Sequence, residues 1–174
     1  MWCQRSLSLT CITAELRHDV ALQHAVASVA SHPVKVLSAD LTTIGADQPE
    51  CLAMVMNKEV VAIAQDSAGL PGKLVHQATN LSASAPATAI RTWNIVEQAW
   101  ARNVTDAGGG LVVCLFNRDE SSRNMSLSWE QLGLPTHPRQ RKVRNVWRAE
   151  NANAAGGVSA LVPKHGVVLL KIDP

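Results

Sequence analysis

The sequence predicts a mainly β protein, an antiparallel two-sheet β-sandwich preceded by a shorter α/β segment. Three observations carry that expectation. From about residue 73 onward the apolar runs are short and strand-like, separated by Gly, Ser, Asn and Pro clusters at regular spacing. Before that point apolar residues recur at helical spacing on either side of one branched, strand-like run. A hydrophobic content of 47% in 174 residues is enough for a real core, in one domain or in a small domain plus a fragment of another.

The elements follow in chain order. The opening "MWCQRSLSLTCITAEL" has one Arg and a weakly apolar middle broken by Ser, Gln and Thr, which makes a poor signal peptide. Residues 14–30 place Leu16, Val20, Leu22, Val26 and Val29 on one helical face, with Glu15, Arg17, His18 and Asp19 on others. Ser31-His32-Pro33 ends that helix, and "VKVLSADL" reads as a strand. Asp47-Gln48-Pro49-Glu50 starts a second helical pattern with Pro and acid in its first turn. The strand-like runs then succeed one another: "KLVHQ", "RTWNIV", "QAWARNV", "LVVCLFNR", "NMSLSW", "RKVRNVWRA", "GVSALV" and "GVVLLKI". Eight candidate strands with no helix among them predict a sandwich over residues 74–173, with Gly110–Phe116 as a central strand apolar on both faces.

Charge and cysteine usage exclude several functions. A net charge of +2 with no basic stripe argues against nucleic acid as a partner. The stretch Arg139–Asn151 holds Arg139, Arg141, Lys142, Arg144 and Arg148, but they alternate with Val143, Val146 and Trp147 and read as the wet face of a strand. No apolar run approaches the ~20 residues that span a bilayer. Cys3, Cys11, Cys51 and Cys114 form no CxxC pair and have no histidine at a metal-ligand spacing, so no metal site and no cofactor are expected. Cys114 reads as a small buried hydrophobe, and the redox compartment is left open. Three N-x-[ST] sequons, at Asn80, Asn103 and Asn124, hint at the secretory pathway and a glycoprotein.

The stretch "NKEVVAIAQDSAGLPGKLV", residues 57–75, raises the question of chemistry. Glu59 and Asp66 lie seven apart, close to two helical turns, and a glycosidase uses two carboxylates. Two turns set them ~10 Å apart along the axis, beyond the separation a retaining enzyme uses. The plainer reading is a short helix with Val60, Val61 and Ile63 packed inward, Asp66 near a solvated end, and Gly69 and Pro71-Gly72 as the stop.

That stretch closely resembles the domain junction of glycoside hydrolase family 27, the α-galactosidases and α-N-acetylgalactosaminidases, whose pattern runs NKEVIAxNQDxxGxxGxxV. Asn57, Lys58, Glu59, Val60, Ala62, Gln65, Asp66, Gly69, Gly72 and Val75 match, and Ala64 stands where the family usually has Asn. Upstream, "HPVKVLSADL" resembles the family's last barrel strand, although Gln23 replaces an expected Trp in the preceding helix. Downstream, "GGGLVVCLFNRDE", "LSWEQLGLP", "VRNVWR" and "VPKHGVVLLKI" are similar to its sandwich strands. The first dozen residues match nothing in the pattern.

The resemblance implies a (β/α)₈ catalytic barrel followed by an antiparallel sandwich. Residues 1–72 would be a remnant of the last part of that barrel and residues 73–174 the C-terminal sandwich, the chain being truncated before the catalytic strands. It implies retaining hydrolysis of terminal α-D-galactosyl residues by the full-length family, with an α-galactoside as substrate there, and a lysosomal or secreted setting. The family's nucleophile, an Asp in a Lys-x-Asp context, and its acid/base Asp lie on strands not found in this sequence. No residue of this chain is therefore expected to be catalytic, cofactor-binding or metal-binding, Glu59 and Asp66 read as structural, and the chain alone is expected to be inactive. Homo-oligomerisation stays open. Asp40 reads as a loop cap, His165 as a turn residue, and Ser38 with His32 and Asp40 as triad composition without triad geometry. Trp93, Trp100, Trp129 and Trp147 read as core or as a sugar-stacking platform. The alternatives to a structural role are a stand-alone carbohydrate-binding sandwich and a non-functional truncated gene product.

Overall fold

The computed structural model describes residues 7–8, 37–38, 53, 56–67, 71–82, 84–90, 94–106, 108–137 and 140–174. Two short strands, β1 (Leu7–Ser8) and β2 (Leu37–Ser38), pair in parallel, Leu7 opposite Leu37. The opening residues, which matched no pattern, thus supply a neighbour to the strand predicted at "VKVLSADL". The helix predicted over residues 14–30 lies outside the described residues, as does all but Ala53 and Met56 of the one predicted after Asp47.

A helix α1 (Lys58–Ala64) leads into strands β3 (Lys73–Thr79), β4 (Ile95–Asn103) and β5 (Leu111–Asn117). Between β3 and β4 lies one short 3-10 turn, Ala87–Ala89. The remaining strands are β6 (Arg123–Ser128), β7 (Gln140–Asn145), β8 (Glu150–Ala155), β9 (Gly157–Val162) and β10 (Val167–Ile172). They form a six-stranded sheet in the order β3-β4-β5-β10-β7-β8 and a two-stranded ribbon β6-β9, all antiparallel. The protein is mainly β, with the antiparallel sheets of a sandwich.

Alternation explains which residues meet. On one face of the large sheet Ala99, Ala101, Leu111, Val113, Leu115, Val143, Leu170 and Ile172 face Met125, Leu127, Val158 and Val162 of the ribbon, with Trp129 sealing the layer. On the opposite face Val112, Cys114 and Leu169 meet Val60 and Ile63 of α1, flanked by Val104, Val146, Trp100 and Trp147. β5 therefore runs through the centre, and residues 111–115 are buried on both faces, as the run "GLVVCLF" predicts. Burial pushes the Cys114 thiol up to about 12, so it packs as an inert hydrophobe. The chain enters β5 through Gly110 at φ +108, where a Cβ would lie 2.2 Å from the Ile172 carbonyl oxygen. Only glycine allows β10 to close that tightly there.

Three expectations are corrected. "RTWNIV" and "QAWARNV" do not form two strands: Ile95–Asn103 is continuous, and residues 91–93 lie outside the described residues. The strand β8 was not expected, because "ENANAA" is built from residues that strands disfavour. It is an edge strand held by its backbone ladder to β7, with every residue but Ala154 exposed. The basic run is also not uniformly wet. Lys142 is exposed, but Arg141 shares the inner face with Val143, donates from Nη2 to the carbonyls of Pro135 and His137 at 3.2 Å each, and lies 6.0 Å from the centre of the Trp129 ring. Its stem and planar head fill the end of the sandwich beside an aromatic face.

Two-sided burial sets a gradient of stability. Native-state hydrogen exchange is expected to show the amides of Val113 and Leu115 opening only with global unfolding, and those of Ala152 and Ala154 exchanging with little protection. Comparable protection in β5 and β8 would contradict this architecture.

Candidate functional site

The stretch that raised the question of chemistry folds as α1 and its exit, and its two carboxylates are both turned to the sandwich. Asn57 caps the helix, its Oδ1 accepting from the backbone N–H of Glu59 at 3.0 Å and of Val60 at 3.2 Å. Val60, Ile63 and Ala64 are buried, while Val61, expected inside, is half-buried. The helix ends at Ala64 with Gln65 as its cap, earlier than the glycine stop the sequence suggested, because Asp66 is drawn into the β4–β5 loop.

Asp66 is 1% exposed, not solvated as expected. Its Oδ2 accepts from the backbone N–H of Thr105 at 2.6 Å and of Asp106 at 2.7 Å, and the Thr105 hydroxyl lies 3.3 Å from Oδ1. The loop returns the favour: Asp106 Oδ2 accepts from the Ser67 backbone N–H at 2.6 Å, and its Oδ1 from the Ser67 hydroxyl at 2.8 Å. Two carboxylates from two segments thus cap each other's free backbone donors. Between them and the helix start, the Arg102 guanidinium donates from Nη2 to the Ile63 carbonyl, holding the last turn of α1 to β4.

Glu59 forms a two-pronged pair with Arg144 of β7, Nε to Oε2 and Nη2 to Oε1, both 2.6 Å. The Arg144 hydrogen bonds hold the Glu59 carboxyl below its ordinary value of 4.5. A general acid needs the opposite displacement. Glu59 and Asp66 are thus engaged by different elements, Arg144 of β7 and the Thr105-Asp106 loop. A shallow cleft of about 180 Å³ does touch Glu59, lined by Lys58, Ala62, Ile63 and Lys171, and it lacks a second carboxylate.

The other candidates are placed as follows. His165 sits in the β9–β10 turn at φ +49, its Nε2 2.9 Å from Oε1 of Glu120 and its backbone N–H donating to the Asp119 carbonyl, with no nucleophile beside it among the described residues. Asn117, which sequence reasoning passed over, organises that turn: it is fully buried and its Nδ2 donates to the carbonyls of Ser121, Val162 and Pro163 at 2.7–3.1 Å. Trp129 is 1% exposed, and Trp100 and Trp147 are half-buried against the α1 layer. Trp93, His32, Asp40 and the Ser38 side chain lie outside the described residues. No cluster of three or more His, Cys, Asp or Glu side chains fit to hold a metal occurs among the described residues. No described helix is long and apolar enough to cross a membrane.

Residues 97–172 match the alpha galactosidase C-terminal beta sandwich domain. The "Probable alpha-galactosidase" of Dictyostelium discoideum is 28% identical over 142 residues, covering 79% of this chain and 32% of that protein. Alpha-galactosidase 3 of Arabidopsis thaliana is 27% identical over 127 residues, covering 72% and 25%. Among solved structures, alpha-galactosidase I from Mortierella vinacea superposes with a TM-score of 0.64 at 22% identity, over 91% of this chain and 35% of that one. The alpha-galactosidase from Saccharomyces cerevisiae does so at 0.66 and 14% identity, over 97% and 45%. The chain spans between a quarter and a third of the length of these curated relatives.

Two measurements test the structural reading of the carboxylates. Asp66→Ala removes the oxygen that two backbone N–H groups require as acceptor, and chemical denaturation is expected to show a loss of about 1–3 kcal/mol. An unchanged midpoint would remove the clasp from the fold's supports. For Glu59 the sign follows from its lowered pKa: the carboxylate's contribution is present above its unfolded value and is lost as pH falls through the lower folded value. Wild type and Glu59→Gln should therefore differ at neutral pH, by less than about 1 kcal/mol for so exposed a pair, and converge in acid below about pH 4. A gap that widens on acidification would refute this.

Proposed function

We propose, from the match of residues 97–172 to the alpha galactosidase C-terminal beta sandwich domain, that this chain is the C-terminal portion of an α-galactosidase-like glycoside hydrolase and that its own task is structural. In this reading residues 1–72 are the end of a (β/α)₈ barrel, 73–174 are the sandwich, and α1 is the joint between them. The observation that carries it is the docking of α1: its apolar side enters the sheet's outer core layer, and Asp66, Asp106, Arg102 and the Glu59–Arg144 pair fix its orientation. A helix seated at both ends and along one side transmits the placement of whatever precedes it.

The substrate class of the whole protein is a terminal α-galactoside, processed through a covalent glycosyl-enzyme in which one carboxylate attacks and another first protonates the leaving oxygen and then activates water. Neither carboxylate belongs to this chain, whose two tempting acids are committed to backbone donors and to a guanidinium. No residue is assigned a catalytic, cofactor or metal role. The three sequons support a glycoprotein made in the secretory pathway. A stand-alone sugar-binding sandwich would need exposed, coplanar aromatics, and the described tryptophans are instead packed into the two core layers.

The chain mixed with an aryl α-galactoside is expected to give no turnover above the uncatalysed rate, and galactose is expected to leave its Trp fluorescence unchanged. Turnover abolished by Glu59→Gln or Asp66→Asn would overturn the structural assignment. Saturable quenching without turnover would replace the buttress by a binding module.

A further inference from the structure

We infer that Asn124 is an N-glycan acceptor and that its glycan covers the outer face of the β6–β9 ribbon. The inference rests on the glycoprotein reading above and goes beyond it by choosing the site and giving it a physical purpose.

The three sequons differ in what the fold does with them. Asn103-Val104-Thr105 lies at the end of β4, and its Thr105 hydroxyl and backbone N–H are engaged by the buried Asp66. The Asn80 side chain accepts from Asn94 Nδ2 at 3.4 Å, and Ser82 of its sequon bonds Ser84 at 2.9 Å. Asn124-Met125-Ser126 is an extended stretch of β6, where alternation turns Met125 into the core at 3% exposure and both Asn124 and Ser126 outward. Neither of these two side chains hydrogen-bonds another described residue. A sugar on Asn124 therefore starts from an exposed side chain and breaks no hydrogen bond to a described residue.

The surroundings give the sugar something to do. Asn124 is paired across the ribbon with Leu161, which at 67% exposure is the most exposed large apolar side chain among the described residues. Opposed side chains on one face stand about 5 Å apart at Cβ, within reach of the first N-acetylglucosamine and its methyl group. The rest of that face is Ser126, Ser128, Ser159 and Gly157, with no charge. The ribbon has two strands, so among the described residues both of its edges lack a ladder partner. An uncharged ribbon face with free edges and an exposed leucine invites pairing with another copy, and proteins block such edges with charge, proline or a cover. Here a glycan is the cover.

The transfer balances with a polyprenyl-pyrophosphate-linked oligosaccharide as donor. The Asn124 amide nitrogen forms the bond to the anomeric carbon, the bond from that carbon to the pyrophosphate oxygen breaks, the polyprenyl pyrophosphate leaves with the electron pair, and the amide proton passes to the transferase's base.

The sequence makes the test direct, because trypsin places the three sequons on separate peptides, residues 74–91, 103–118 and 124–139. The full chain, given a cleavable secretion leader, is translated with microsomes, purified, and digested after peptide-N-glycosidase treatment in heavy-oxygen water. The expected result is conversion of Asn124 to labelled Asp, with one glycan's mass lost in both Asn124→Gln and Ser126→Ala. An unlabelled Asn124 peptide beside a labelled Asn80 or Asn103 overturns the inference and leaves the glycoprotein reading standing. No label on any of the three overturns both. For the covering role, enzymatic removal of the glycan is expected to raise self-association of the wild type in light scattering and to leave Leu161→Ser unchanged. Equal behaviour of the two would show that the sugar does not shield Leu161.

Discussion

A strand buried on both faces needs two covers, and the rest of the molecule follows from supplying them to β5. Val112 and Cys114 point one way, Leu111, Val113 and Leu115 the other, and all five are at most 7% exposed. The β6–β9 ribbon covers the second set, as in any sandwich. Among the described residues the first set is covered by α1, whose Val60 and Ile63 are 0% and 1% exposed. Burying side chains of this size is worth roughly 1.5–3 kcal/mol each, so the helix is part of the sandwich's own energetics despite preceding its first strand. A helix of seven residues would not hold together unaided in water. Each element therefore depends on the other.

Apolar contact alone fixes depth but not direction, and the polar groups around α1 supply the direction. A seven-residue helix on a smooth Val and Leu surface can rotate or slide by a residue at small cost. The two-pronged Glu59–Arg144 pair sets its start against β7, and the Asp66 and Asp106 carboxylates set its end against the β4–β5 loop. The two kinds of contact differ in weight. Glu59 is 40% exposed, so water competes with its partner and the pair orients more than it stabilises. Asp66 is enclosed, and losing its acceptor strands two backbone donors away from water.

The architecture was largely legible in the sequence, and the places where it was not have specific causes. Strand alternation and turn residues exposed the sandwich, and the run at Leu111–Phe116 gave its central strand. The edge strand β8 left no trace because its stability comes from a backbone ladder rather than from side chains, so "ENANAA" carries no apolar pattern to read. Arg141 was hidden for the opposite reason. Its charge suggested water, while the interior offers it two carbonyls and the face of Trp129, partners separated from it in sequence by four to twelve residues. The junction resemblance led to a structural reading of Glu59 and Asp66, but it named no partners for them. Those partners stand 85 residues away for Glu59 and 39 to 40 for Asp66. Local spacing cannot report contacts of that range.

The same distances explain why a glycosidase-like pair of acids appears in a stretch that fastens a helix to a sheet. Two carboxylates seven residues apart suit a joint as well as an active site, because a helix that must be gripped at both ends needs a polar group at each. What separates the two uses is the state the surroundings favour. An acid catalyst is kept protonated by burial away from cations and donors, whereas here a guanidinium holds Glu59 ionised and the Asp66 carboxylate is met by backbone N–H groups that bond only to an acceptor. The environment of Glu59 stabilises the form that can bind and cannot donate. The grip on the helix is therefore set by the donors that β7 and the β4–β5 loop present.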